Sequence, residues 1–250
     1  MSISSKTYRL EHVFFSINEK EVLSDVSLNL QEKEIVAVIG TSGAGKTTLL
    51  RLLAGLEQPT KGTILLKDQP IKTSTIALVP QDYGLLPWQT TKQAIQKAVE
   101  ISRKRKLTEA EKRMIKKLFE QMKLTEVANS YPSQLSGGQR QRVAITRALA
   151  SQSDVLLMDE PFSALDALTR EKAQQLFFSA WQETPRLTVF VTHDIEEALL
   201  LADEILVMGV NGTIKKKIRS PFTKSQKLAD RQRSEQLFHA VSYLRKEIDA

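Results

Sequence analysis

The 250-residue chain has no cysteine, which excludes disulfides and thiolate catalysis. It has three histidines, His12, His193 and His239, spaced too far apart to suggest a zinc site. No apolar run approaches the length needed to cross a bilayer, and the first residues carry no signal-peptide hydrophobic stretch. Internal repeats, low-complexity linkers and long coiled-coil insertions are also missing. With 41% hydrophobic residues the chain can bury a sizeable core as one domain or two closely joined lobes, and the expectation is a protein that stays on the cytoplasmic side.

A net charge of +7 raises the question of acidic partners. The basic runs Arg103 to Lys106 and Lys215 to Lys217 are local, and Glu109, Glu111 and Glu120 follow the first of them. That mixture reads as a solvated helical face, with proximity to lipid headgroups as its special use and no nucleic acid expected.

The chemistry is concentrated at the ends of apolar runs. Ile35 to Ile39 is a buried-strand pattern, and it feeds Gly40-Thr41-Ser42-Gly43-Ala44-Gly45-Lys46-Thr47 and then the helical Thr48 to Leu53. A glycine-rich turn between strand and helix is a phosphate cradle: its backbone N–H groups and the helix N-terminus face negative charge. Lys46 suits the terminal phosphates, and the Thr47 hydroxyl suits Mg²⁺. Val155 to Met158 ends in Asp159-Glu160, where Asp159 can hold the Mg²⁺ shell and Glu160 can orient or deprotonate a water.

Leu135-Ser136-Gly137-Gly138-Gln139 lies between these two elements. Ser136 is placed to cap a helix whose first turn exposes backbone donors, so the segment is a second anion-binding helix start without a lysine of its own. One complete phosphate loop and one bare helix start suggest a site shared head to tail by two copies.

These segments resemble the ATP-binding subunit of ABC transporters over about residues 8 to 215. In that family's terms Gly40 to Thr47 match the Walker A loop, Gln81 the Q-loop glutamine, Leu135 to Gln139 the signature, Val155 to Glu160 Walker B, Ser163 to Asp166 the D-loop, and His193 the switch histidine. The resemblance implies that ATP and Mg²⁺ are bound. Its nucleotide contacts would be Gly40, Thr41, Ser42, Gly43, Ala44, Gly45, Lys46, Thr47, Thr48, Ser136, Gly137, Gly138 and Gln139. It further implies Thr47, Gln81 and Asp159 around the metal, and Glu160, His193, Lys46 and Gln81 in catalysis. Asp166 matches the dimer-contact aspartate and also reads as a helix cap, as does Asp194.

At one position the chain departs from the pattern. The family's aromatic adenine-stacking residue aligns with Ile17, while Phe14 and Phe15 alternate to opposite faces of their strand. Ile17 can pack on the base by dispersion, or Phe15 can reach it if the strand register slips; otherwise Phe15 reads as core.

The fold implied is α/β, a P-loop NTPase of ABC ATPase type, with a mixed sheet core, an antiparallel β region and a helical signature subdomain. Residues 1–250 read as one ABC ATPase domain, with the helical subdomain at about 88–150 and a C-terminal helical tail at 220–250. Leu237, His239, Ala240, Tyr243 and Leu244 are available for packing in the tail. A hairpin is expected around Val210-Asn211-Gly212.

Tyr83-Gly84-Leu85-Leu86-Pro87-Trp88 resembles the Q-loop of importers in the nitrate, sulfonate and taurine group, which also includes carriers of thiamine precursors. The partners implied are a second identical ATPase subunit, two permease subunits and an external solute-binding protein. The solute would be a small organic anion, a nitrate- or sulfonate-like species, or a thiamine precursor. An exporter or lipoprotein-extraction ATPase would carry the same nucleotide motifs and is the alternative.

Overall fold

A computed structural model describes residues 6–249 of the chain; the ends of the expected 1–250 domain lie outside the described residues. It divides into two compact units, one drawn from residues 1–73 and 186–250 and the other from residues 74–185.

The first unit contains an antiparallel sheet with strand order β2-β1-β4-β5. β1 (Lys6–Ile17) and β2 (Lys20–Gln31) form a long hairpin, followed by β4 (Lys61–Leu66) and β5 (Gln69–Pro70). Both hairpin strands run for 12 residues, and their continuity comes from bulges. His12 and Asp25, both with positive φ, let each strand absorb a register shift without ending. Asn18 and Glu19 turn the hairpin, both left-handed as a two-residue loop between twisted strands requires. Phe15 is buried and belongs to the core.

The same unit holds β3 (Ile35–Gly40), with β8 (Leu187–Val191) and β9 (Glu204–Met208) parallel on its two sides and β10 (Ile214–Arg219) antiparallel beyond β9. Ile35 through Ile39 are all buried, which a strand covered on both faces requires. Its helices are α1 (Lys46–Leu53), α6 (Ile195–Leu201), α7 (Leu228–Gln232) and α8 (Glu235–Asp249). Tyr8 is fully buried and donates to the Leu53 carbonyl at 2.6 Å, tying β1 to the end of α1. Gly209 N–H donates to the Thr213 carbonyl to close the β9–β10 hairpin.

The tail helix α8 buries Leu237, Val241 and Leu244, while His239 and Tyr243 are exposed. The expected packing set is therefore corrected: spacings of four and three residues select one face of a 3.6-residue helix, and His239 and Tyr243 fall off it. Tyr243 instead lies 5.2 Å beneath the Lys216 ammonium, which also pairs with Glu247 at 2.7 Å.

The second unit contains the parallel pair β6 (Ile76–Val79) and β7 (Val155–Asp159), with α2 (Thr91–Arg103), α3 (Glu109–Gln121), α4 (Gly137–Ala150) and α5 (Ala167–Glu183). This unit is wider than the helical stretch at 88–150 because α4 packs on β6 as well as on α2, α3 and α5. Capping boxes open α2 at Thr90, α3 at Thr108 and α4 at Ser136. Arg105, within the basic run, pairs with Glu111 at 2.8 Å and so braces the start of α3. No helix among the described residues is long and apolar enough to cross a membrane.

Candidate functional site

In the first unit the phosphate-loop residues occupy the carboxyl end of β3. Gly40 has φ +155°, and a β-carbon there would lie 2.6 Å from the Met208 carbonyl oxygen on β9. Gly45, with φ +90°, is boxed in by Leu23 Cδ2 at 2.8 Å and the Val22 carbonyl oxygen at 2.9 Å from the position of such an atom. Both positions thus need glycine, one against a neighbouring strand and one against the β1–β2 hairpin. Thr41, Ser42, Gly43 and Thr47 are exposed, Ala44 is buried, and Gly45, Lys46 and Thr48 are half-buried.

Gly45, the residue that opens α1, provides no side-chain cap for it. Lys46 Nζ donates to the carbonyls of Gly40 at 2.9 Å and Thr41 at 2.8 Å, folding the ammonium over the loop. An uncapped helix start, exposed loop backbone and a cation across the loop form a cradle fitted to phosphate.

His193 stands at the same sheet edge. Val38 pairs with Val191 at the end of the parallel β3–β8 register, and Thr192 N–H still donates to the Val38 carbonyl at 3.1 Å, so the chain leaves β8 for His193 at the same edge at which β3 leaves for the loop. His193 is exposed, while the preceding Thr192 is buried and accepts from Asp194 N–H at 3.0 Å. Asp194 caps α6 by accepting from Glu197 N–H at 3.1 Å. Ile17 ends β1 opposite Lys20 and is 51% exposed, so it presents apolar surface to whatever lies beside the hairpin.

In the second unit a parallel register brings Gln81 to Glu160. Val79 pairs with Met158, and two residues on Gln81 Nε2 donates to Glu160 Oε2 at 3.4 Å. Glu160 has φ +46°, an uncommon conformation for glutamate. Its carbonyl accepts from Ser163 N–H at 3.3 Å and Ser163 Oγ at 3.1 Å. Asp159 ends β7 and is half-buried beside it.

Ser136 N–H donates to Gln139 Oε1 at 2.8 Å, and Gln139 N–H donates to Ser136 Oγ at 3.2 Å. Ser136 is exposed and nothing lies within 4 Å of a β-carbon placed on Gly137. Gly138 differs, because a β-carbon there would approach Thr169 Cγ2 to 2.8 Å at the start of α5. Asp166 caps α5 by accepting from Thr169 N–H at 3.1 Å, and its hydrogen bonds with Thr169 hold its carboxyl below the usual range.

In the first unit Thr47 offers a hydroxyl, and in the second Gln81 and Asp159 offer an amide oxygen and a carboxylate; each is an oxygen donor of the kind a hard cation such as Mg²⁺ takes alongside phosphate oxygens.

A family model described as ABC transporter matches residues 23–163, more than half of the chain. The chain belongs to the ABC transporter family. It is an ATP-binding member with the ATPase fold of that family. This ABC transporter chain is 42% identical over 204 residues to the nitrate import ATP-binding protein NrtD of Synechococcus elongatus, a match covering 80% of the chain and 74% of NrtD. It is also 42% identical to the taurine import ATP-binding protein TauB of Chromobacterium violaceum, covering 85% and 82% of the two chains. Among solved structures it resembles a dimeric ATP-binding cassette in a post-hydrolysis state bound to ADP and Pi, at 30% identity and a TM-score of 0.74, covering 86% of this chain and all of that one.

Several residues that shape these ABC segments belong to none of the motifs. Val22 and Leu23, which wall in Gly45, are plain strand residues carrying no local signal. Gln141 is fully buried and its amide donates to the Pro161 carbonyl just after Glu160. Arg147 donates to the Tyr83 carbonyl at 2.9 Å and to the Gly84 carbonyl. A charged residue inside the apolar run Val143 to Ala150 was the one visible hint of that contact.

Proposed function

We propose that this chain is the ATP-hydrolysing subunit of an importer, working as a pair of identical subunits on the cytoplasmic face of a membrane permease. The observation that carries the reading is identity above 40% to import ATP-binding proteins for nitrate and for taurine, over most of both chains. A small anion of the nitrate or sulfonate type is the solute class those relatives favour. Two permease subunits and an external solute-binding protein complete the assembly.

Each residue's role follows from its chemistry. The Gly40–Thr47 loop and the N-terminus of α1 bind the phosphates through backbone N–H groups, and Lys46 leaves its loop carbonyls to meet the terminal phosphates. Thr47, Asp159 and Gln81 would hold Mg²⁺, which supplies neutralisation of charge on the phosphate oxygens when bound. Glu160 accepts a hydrogen bond from water and directs its oxygen at the γ-phosphorus. A bond forms from that oxygen to phosphorus as the bond to the ADP oxygen breaks, and the water proton passes to the carboxylate or the departing phosphate. His193 donates to the γ-phosphate oxygens as their charge redistributes.

Ser136 to Gln139 would close the nucleotide of the second subunit, using the exposed serine and the open backbone at Gly137. Ile17 would pack on the adenine by dispersion. The exposed Leu86 and Trp88 give the permease an apolar anchor, and a rigid aromatic beside Pro87 suits an interface.

The test is purification of the tagged chain from gently solubilised membranes of its own cell, with mass spectrometry of what stays bound. A multi-span permease with a solute-binding protein is the expected result. An export-type permease without a binding protein, or a ribosomal set without a permease, would overturn the import reading.

A further inference from the structure

Arg147 projects from α4, the helix that Ser136 opens, to the segment that follows Gln81. One guanidinium nitrogen donates to the Gly84 carbonyl and the other to the Tyr83 carbonyl at 2.9 Å, contacts more than sixty residues apart in sequence. The segment is shaped to present those carbonyls. Tyr83 and Gly84 have φ +67° and +54°, and two successive left-handed residues turn both carbonyls to one side. The turn is held by Tyr83 N–H donating to the Pro80 carbonyl at 2.9 Å and Gly84 N–H donating to Asp82 Oδ1 at 3.2 Å.

The clamped carbonyls lie between two functional ends of one short stretch. On the amino side Gln81 reaches Glu160 at 3.4 Å. On the carboxyl side Leu86 is 41% and Trp88 69% exposed. A planar guanidinium with two parallel donors fixes orientation as well as distance, which a lysine ammonium does not. Burial lowers the Arg147 pKa and the Asp82 carboxylate opposes that change.

We propose that Arg147 is a positioning residue that locks the Gln81-to-Trp88 segment onto the signature helix α4, so that movement of Trp88 is passed both to Gln81 at Glu160 and to Ser136. The coupling part rests on the ATPase reading above. The lock itself does not, and it can be read without nucleotide.

The chain has two tryptophans, so 5-fluorotryptophan labelling gives two ¹⁹F resonances, one from exposed Trp88 and one from Trp181, buried in the second unit. In the nucleotide-free full chain, Arg147→Met is expected to shift or broaden the Trp88 line and leave the Trp181 line in place. Phosphate release from ATP is expected to show kcat lowered about tenfold with KM changed less than about threefold, because a reacting group loses its placement while the nucleotide cradle stays intact. Arg147→Lys, which keeps the charge and loses the fork, is expected to fall between the two.

An unmoved Trp88 line in Arg147→Met overturns the proposal, even if kcat falls. If Trp181 moves as well, lost packing is the cause and Arg147→Lys decides, with an unmoved Trp88 line overturning the lock. A wild-type chain that released no phosphate would refute the ATPase reading and leave the Trp88 comparison fully readable.

Discussion

Replacing Gly45 by alanine places a methyl group 2.8 Å from Leu23 Cδ2 and 2.9 Å from the Val22 carbonyl oxygen. The leucine tip can yield, but the carbonyl belongs to the β1–β2 hairpin and yields only with the strand. The left-handed backbone at φ +90° costs an alanine about 1–2 kcal/mol, and the forced contact adds about 1–3 kcal/mol. Gly43→Ala is the internal control, since its φ is +79° and no heavy atom lies within 4 Å of the added carbon. It bears only the backbone cost, so the two variants should differ by about 1–3 kcal/mol. Urea unfolding of the nucleotide-free protein measures the part absorbed by the hairpin. If the loop moves aside instead, the deficit appears in ATP affinity, at about tenfold per 1.4 kcal/mol. Gly45→Ala and Gly43→Ala proteins with equal unfolding free energy and equal ATP affinity would refute the argument that the hairpin wall dictates glycine at 45.

Three further outcomes follow from burial and charge. Trp181→Ala should cost about 3–5 kcal/mol in urea unfolding, because that ring is 2% exposed and stacks on Phe178 at 6.3 Å; Trp88→Ala should cost under about 0.5 kcal/mol. Equal losses would contradict the placement of the two rings. The Glu111 carboxyl is held down at about 2, first by the Arg105 guanidinium and then by the Thr108 backbone. A depressed carboxyl adds stability above its unfolded pKa of 4.5 and loses it as pH falls through about 2. The stability gap between wild type and Glu111→Gln should therefore narrow over that window, and a gap independent of pH would exclude the effect. Lys46→Ala should lose ATP binding itself in equilibrium titration, and unchanged affinity would remove the ammonium from the phosphate site.

Strand ends were readable because a strand buried on both faces is a run of apolar residues, and Ile35–Ile39 and Val155–Met158 stop just before Gly40-Thr41 and Asp159. Helix starts were readable for the same local reason: Ser136, Asp166 and Asp194 act as caps on neighbours within three residues. Pairings set by distant registers were not readable. Gln81 meets Glu160 only through the β6–β7 pairing, and Arg147 meets Tyr83 only after α4 has packed on β6. The left-handed Glu160 also had no sequence signal, since glutamate gives no local preference for that conformation. In the tail the expected set included His239 and Tyr243 and left out Val241, the residue that packs, although helix periodicity from Leu237 to Leu244 was present in the sequence.

The central claim is that Glu160 directs water onto ATP bound at Lys46. Steady-state phosphate release by the full chain, with ATP affinity measured alongside, tests it most directly in wild type and Glu160→Gln. The account predicts steady turnover in wild type, a fall of about 10²–10⁴-fold in Glu160→Gln, and retained ATP affinity in that variant. Glu160→Gln protein that released phosphate at the wild-type rate would contradict it.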